Sequence, residues 1–596
     1  MRRLRPIVPV CAAVLFAAGE ILFAPEALAQ CATTGTNQTC TNPAGTTVSG
    51  GANGIFDNNT LTVTNFGTIS GTTFGILANT ANVGNSGSIS GGVDGILANT
   101  ANVNNSGTIS GANHGIEAIT VNVGNSGLIS GSTGIISDGG SGSALINSGT
   151  IIGTNGTAID FHASIANTLT FLPGSRIQGA ILLGTGDSVN VLTGRDIAGL
   201  LTFTPNGAFS ISGSGGAPFV VSGNKVATVD PTAFGMADRT LMDFTGAVSG
   251  LVESRFNDLA WPDTTLDARN AFAAPSSSGI ANTANAVFAN VPSAANAYAA
   301  GTGQNAIPNM TVVDRSSGIA VWSKGFVGGR FQNADGAMLS STNFIYGGAV
   351  GLDGQVTSDL RLGAFVGSGS GKLVVDLNSQ TVNTNYLFGG VYGRFNWASQ
   401  YVDFAVSTGH TSNDSARTIA NNLAASGYET ATASYNGWFV SPELAYGYRI
   451  PLASNFLLTP IARLRYLSAS FDGYSESGSA QNLIVSSRSV QDLEERLGVD
   501  LSRVDEVQLR GFLKTTIGLG MLGLERLGNT GVNTVLIGQN LSFAAPGQNS
   551  AAGAYLGINL DYRINKNLSL FAATEGTLMT DRSSVGTAKG GLKAAF

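Results

Sequence analysis

Residues 552–564 read Ala-Gly-Ala-Tyr-Leu-Gly-Ile-Asn-Leu-Asp-Tyr-Arg-Ile. The even positions, Ala552, Ala554, Leu556, Ile558, Leu560, Tyr562 and Ile564, form one apolar row, while the odd row includes Asn559, Asp561 and Arg563. Side chains of a strand alternate between two faces, so this period of two predicts a strand with one apolar and one polar face. The pattern recurs upstream. Leu458, Ala462, Leu464 and Tyr466 alternate with Thr459, Arg463 and Arg465, and Leu360, Leu362, Ala364 and Val366 alternate with Arg361 and Gly363. Each run is close to the length that crosses a bilayer obliquely. Past the N-terminus, no stretch is apolar for the ~20 residues a spanning helix needs. Lipid cannot satisfy an open sheet edge, so spanning strands must close into a barrel.

Working outward, candidate strands fall near 319–330, 343–354, 357–371, 381–397, 399–410, 430–450, 454–470, 482–503, 507–526, 551–565, 567–577 and 585–596. Connections near 355, 398, 452, 505 and 566 are tight, and those near 336, 376, 420, 476, 538 and 581 are longer. Short periplasmic turns and longer outer loops are the outer-membrane pattern, and an even number of strands returns both ends to the periplasm. Thr534–Phe543 has strand character but fits better in an outer-loop hairpin. The chain ends on Phe596, with Leu592 and Ala594 on the same face. A terminal aromatic on the last strand suits the signal read by barrel-assembly machinery.

Upstream of the barrel, Asp230-Pro231 predicts a helix start, with Asp as N-cap and Pro at the first helical position. Phe234, Leu241, Phe244, Val248, Leu251 and Arg255 follow near-helical spacing, giving a helix over 231–256. Gly235, Gly246 and Gly250 weaken that reading. Residues 257–309 are rich in Ala, Asn, Ser, Pro and Thr and read as a spacer.

Residues 61–152 repeat. Asn65-Phe66-Gly67-Thr68-Ile69-Ser70-Gly71 returns as the segments beginning at Asn85, Asn105, Asn125 and Asn147. Gly75-Ile76, Gly95-Ile96, Gly115-Ile116 and Gly134-Ile135 recur in phase, as do Val63, Val83, Val103 and Val123. A period near twenty indicates a solenoid, in which stacked coils bury an apolar face that no single coil could bury. Three short apolar segments per coil with Asn/Gly corners predict a parallel β-helix, and the repeated Asn suggests side-chain ladders. The repeat weakens through 169–175 and 184–191. Gly184–Val191 faintly echoes a calcium-binding nonapeptide, but a single copy lacks the stacked partner, so no calcium site is expected.

The N-terminus reads as an export signal: Arg2, Arg3 and Arg5, an apolar stretch over Ile7–Phe23, and Ala27-Leu28-Ala29 as cleavage site. Cys31 and Cys40 remain in the mature chain and suit a disulfide in an oxidising compartment. Lipidation at Cys31 is the alternative, although Gln30 is poorly suited to precede a lipidated Cys. Only 11% of residues are charged, Gly numbers 81 and the net charge is −7. No Lys or Arg occurs from Cys31 to Ser175. Nucleic acid as a partner is therefore disfavoured.

The sequence nominates no catalytic, cofactor or metal residues. A subtilisin-type triad needs a positioned His. Only His114 and His162 lie in the repeat region, and His114 occupies a turn where sibling coils carry Phe74 or Asp94, which reads as a tolerant site. The three His are scattered away from the thiols, and no G-x-S-x-G elbow is present. The chain is expected not to be an enzyme.

The order of these parts resembles a type V secretion autotransporter. The resemblance rests on the signal peptide, the repeated region, the Lys225-Val226-Ala227-Thr228-Val229-Asp230-Pro231 stretch leading to a helix, and the barrel ending at Phe596. It implies a twelve-stranded translocator with a helix through its pore, a passenger displayed on or released from the cell surface, and assembly by periplasmic chaperones and the barrel-assembly machinery. In that family the helix usually runs straight into the first strand. Here about sixty residues intervene, so the pore helix could lie anywhere in 231–317. Some relatives cleave themselves through a lumenal Asn or acidic residue, but 231–256 holds no Asn-Asn pair. The expectation is an all-β chain: signal peptide 1–29, β-helical passenger 30–225, linker 226–318 with its helix, and barrel 319–596. The barrel is expected in outer-membrane lipid, with the passenger meeting an unknown surface ligand as an adhesin or spacer. A porin-like channel and a secreted hydrolase are the alternatives.

Overall fold

The computed structural model describes residues 30–34, 37–140, 142–258, 319–452, 456–507, 511–565 and 568–595. The expected leader, Phe596 and all of the expected spacer beyond Asp258 lie outside them.

The N-terminal repeats form a succession of parallel strand segments wound into a solenoid. A full coil carries one long segment, such as Phe74–Asn85, which turns a corner within itself, and one short segment, such as Ser88–Gly91. Three apolar columns fill the interior. Ile76, Ile96, Ile116, Ile135, Ile159 and Ile181 stack in register. So do Ile69, Ile89, Ile109, Ile129, Ile151 and Ile177. Val63, Val83, Val103 and Val123 continue into Leu145, Leu169 and Val189. These are the three phased positions of the sequence repeat, and all are buried. Each such side chain contributes roughly 1.5–3 kcal/mol on burial, which is why the stack holds although no coil has a core of its own.

The corners are held by a polar column. The Asn65 amide donates to Asn85 Oδ1 (2.7 Å), Asn85 to Asn105 (2.7 Å), Asn105 to Asn125 (2.8 Å) and Asn125 to Asn147 (2.8 Å). The same amides also donate to backbone carbonyls of their own corner and of the next coil, as Asn85 does to Gly87 and Thr108. Every buried carboxamide in the column is thereby used. The weaker continuation forms coils as well, and Asp187 accepts from the backbone of Asn167 and Gly184.

Twelve antiparallel strands form the barrel: Ala320–Gln332, Ser341–Gln355, Leu360–Val375, Gln380–Trp397, Gln400–Asn421, Tyr428–Tyr448, Phe456–Phe471, Arg488–Val507, Gly511–Arg526, Ser550–Arg563, Leu568–Met579 and Ser583–Ala595. They are numbered strands 1 to 12 below. Strand 12 pairs with strand 1 and closes the sheet. The alternation read from strand 10 is realised: Leu556, Ile558 and Leu560 face outward and Asp561 is buried in the interior.

Three expectations about the barrel are corrected. Strand 5 continues to Asn421, well past its expected end at 410, because its polar residues 411–421 pair with the equally extended strand 6. The outer connections at 376–379 and 580–582 are as short as the inner turn at 356–359. Strand 3 runs on to Val375 and strand 11 to Met579, so residues expected in loops are strand. Strand 8 starts at Arg488, not 482. Leu483–Val485 instead joins Tyr474–Ser475 and the hairpin Gly531–Leu536/Gln539–Ala544 in a separate four-stranded outer sheet.

Candidate functional site

The lumen is filled by one helix, Thr232–Asp258. The sequence gives it a defined start. Asp230 accepts from the Thr232 amide (2.9 Å) and Pro231 needs no donor partner, the arrangement of a capped N-terminus. Ser379, in an outer connection, donates to the other Asp230 oxygen (2.5 Å), which ties the cap to the barrel's outer mouth. Burial there pushes the Asp230 carboxyl above its ordinary range, against the hydrogen bonds from Ser379 and Thr232.

From that mouth the helix is gripped by the inward rows of the barrel. Asp238 meets Arg526 (2.5 Å), Asp243 meets Arg330 (2.7 Å), Glu253 meets Arg463 (2.6 Å) and Arg255 meets Asp353 (2.6 Å). Arg465 donates to the Met242 carbonyl (3.0 Å) and to Thr245 (2.5 Å). Arg394, held by Asp403, donates to the Phe256 carbonyl (3.0 Å), the kind of orphan acceptor a helix end leaves. Between the ion pairs, Phe244 stacks on Tyr386 with centroids 3.6 Å apart and meets Phe326 and Phe388 edge-on. Buried pairs of this kind add little net stability but strongly disfavour any register that separates them.

The three helix glycines that weaken the sequence reading find their reason here. A Cβ on Gly250 would lie 1.9 Å from Lys589 Nζ, and one on Gly235 would lie 2.6 Å from the Pro546 carbonyl oxygen. Helix propensity is given up where the barrel wall comes closest. A cavity of about 90 Å³ remains beside the helix, lined by Glu253, Arg463, Arg496, Asp500, Glu575 and Lys589.

The helix direction resolves its distance from the first strand. Arg255 lies against Asp353, whose register partner is Ala320 at the start of strand 1. The helix therefore ends at the same end of the barrel where strand 1 begins. Of the window 231–317, the structure selects 232–258.

At the opposite end the solenoid rests on the barrel. Residues 198–200 pair in parallel with 419–421, the far end of strand 5. Asn422 accepts from the Thr202 amide (2.8 Å) and donates to the carbonyls of Thr202 (3.0 Å) and Gly179 (3.1 Å). Gln481 donates to the carbonyls of Gly199 and Thr228 (both 2.8 Å).

Residues 321–575 match the family model of the autotransporter beta-domain. The barrel is of the autotransporter type. Over 207 residues, a third of its length, the chain is 28% identical to Outer membrane protein A of Rickettsia rickettsii and to Outer membrane protein A of Rickettsia conorii. Those alignments cover 9% and 10% of the relatives, so the chain spans about a tenth of their length. Solved structures similar to it include the translocator domain of NalP from Neisseria meningitidis (17% identity, 53% of this chain and 97% of that one, TM-score 0.38). The beta domain of the Bordetella autotransporter BrkA is another (17%, 47% and 100%, TM-score 0.37), as is the transport unit of AIDA-I from Escherichia coli (14%, 46% and 90%, TM-score 0.33). The barrel lies in the outer membrane and the solenoid on its surface side.

The residues singled out in sequence fall as follows. The strand register sets Cys31 directly opposite Cys40, and Cys40 is disulfide-bonded and buried. Leu592 faces outward on strand 12 and Ala594 is two residues on. His114 sits in its corner beside Asp94 and Glu117. The sequence reading identified Arg361, Arg463 and Arg465 as a polar row but not what they grip. Asn422 went unnoticed because an Asn in a polar loop carries no periodic signal.

Proposed function

We propose that the barrel carries its own N-terminal solenoid to the cell surface and holds it there, and that the solenoid works by contact, as an adhesin or spacer, rather than by catalysis. The observation that carries this reading is the threaded helix. It starts beneath the solenoid, runs the length of the lumen and ends beside strand 1, so the chain preceding the barrel passes through the barrel. Two features support contact rather than chemistry: the Asn-, Ser- and Gly-rich surface of the coils and the absence of Lys and Arg from 31 to 175. Assembly would use periplasmic chaperones and the barrel-assembly machinery, with an unidentified surface ligand for the solenoid.

The test is labelling of intact cells with a membrane-impermeant maleimide after Asn99→Cys, an exposed coil position. Labelling without permeabilisation is expected. Labelling only after the outer membrane is opened would sink the display reading. A porin-like channel is disfavoured by the filled lumen, and large open conductance of the full-length protein in planar bilayers would revive it.

A further inference from the structure

One corner of the solenoid departs from its siblings in a chemically directed way. Phe74, Asp94 and His114 occupy one column in register, and Leu77, Leu97 and Glu117 another. The coil bearing Phe74 and Leu77 shows that the stack tolerates apolar residues at both places. In the next two coils they give way to Asp94, His114 and Glu117, and the fold brings all three together. Asp94 Oδ1 lies 2.9 Å and Glu117 Oε2 lies 2.6 Å from the same nitrogen, His114 Nδ1. The three ligand atoms lie within 4.8 Å of one another.

One ring nitrogen carries at most one proton, so it cannot donate a linear hydrogen bond to two carboxylates at once. A metal ion in place of that proton can bind all three groups. Asp94 is nearly inaccessible, with 3% of its side chain exposed, while His114 and Glu117 are about a quarter exposed. The site therefore has a rigid floor and an open side for an incoming ion and its water. Charge points the same way. Asp138 lies next to Glu117. Three carboxyl groups, those of Asp94, Glu117 and Asp138, thus neighbour one imidazole in a region without Lys or Arg.

We propose that Asp94, His114 and Glu117 form a binding site for a divalent transition metal of the zinc class on the flank of the solenoid. Imidazole with carboxylates suits zinc, whereas calcium and magnesium take oxygen ligands alone. Tetrahedral zinc at about 2.0–2.1 Å from each atom needs ligand separations of about 3.3 Å, so each carboxylate would draw back from the ring nitrogen by less than about 1 Å. Asp138 is placed to accept a hydrogen bond from the metal's water or to orient Glu117.

The experiment uses the full-length chain in detergent, disulfide intact, stripped with chelator and then equilibrated with zinc chloride at neutral pH. Bound zinc is measured by elemental analysis and by calorimetric titration. His114→Phe and Glu117→Leu install the residues of the sibling coil, so both are expected to fold, as checked by circular dichroism. We expect one zinc per chain, a loss of affinity of at least tenfold in each variant, and no displacement by excess calcium. Absence of zinc from the wild type, or zinc kept unchanged by either folded variant, would overturn the site.

Discussion

Arg255 and Asp353 meet at the inner end of the pore with donor and acceptor 2.6 Å apart and both side chains fully buried. Asp353 also accepts from Arg361 (2.5 Å) and from the Tyr392 hydroxyl (2.7 Å), which in turn accepts from Trp322 (2.6 Å). One carboxylate thus ties the last turn of the helix to the barrel wall on either side of the first inner turn.

Asp353→Ala should leave two buried guanidiniums without their shared anion. Removing one partner of a buried pair typically costs about 3–5 kcal/mol. We expect a lower unfolding temperature of the barrel, read from the heat-induced mobility shift on gels, and a leakier pore in planar bilayers as the helix end loosens. An unchanged conductance together with an unchanged transition would show that Asp353 does not hold the helix.

Gly250 should not accept a large side chain while Lys589 stands opposite it. Gly250→Leu is expected to displace the helix and raise protease sensitivity near the pore. Adding Lys589→Ala should restore protection at least in part, because the clash is with the far end of that lysine. A double variant as sensitive as the single one would assign the defect to something other than this contact.

Asn105 accepts from Asn85 and donates to Asn125, Gly107 and Leu128. Asn105→Leu strands several of these groups inside the stack, at about 1–3 kcal/mol for each unsatisfied one. Thermal unfolding of the solenoid, followed by circular dichroism on the full-length protein, should fall by several degrees or more. Asn104→Leu, on the exposed face, should change it little. Equal melting of the two variants would remove the ladder from the account of stability.

Asn422 is the best-connected side chain where the barrel meets the solenoid. Asn422→Ala should expose the last coils to protease, with cuts around 180–205, while the barrel keeps its heat-induced mobility shift. Resistance equal to wild type would mean that strand pairing at 419–421 suffices to seat the solenoid.

The phased Ile and Val positions and the corner Asn residues gave the solenoid directly, because a neighbour one coil away in space is a neighbour one period away in sequence. Period-two alternation over 320–595 gave the barrel for a similar reason, since lipid outside and polar lumen inside impose opposite demands on successive residues. Loop lengths were a poorer guide. The outer connections at 376–379 and 580–582 are tight because the flanking strands run on to Val375 and Met579, and strand 5 looked finished at 410 where its residues turn polar. The residues 411–421 are strand because strand 6 and the solenoid pair with them.

The sequence alone therefore determined what is written at fixed short intervals: the coils, the strands and the capped start at Asp230. Only the tertiary structure decided where the helix lies and what it touches. Arg255 and Asp353 are 98 positions apart, and Asp238 and Arg526 are 288 apart. No periodicity links them, and their pairing follows from one buried helix being enclosed by twelve strands whose inward rows carry charges opposite to its own. The corner formed by Asp94, His114 and Glu117 lies between these cases. The column is visible at period twenty, but the convergence of two carboxylates on one nitrogen depends on side-chain direction, which sequence spacing does not record.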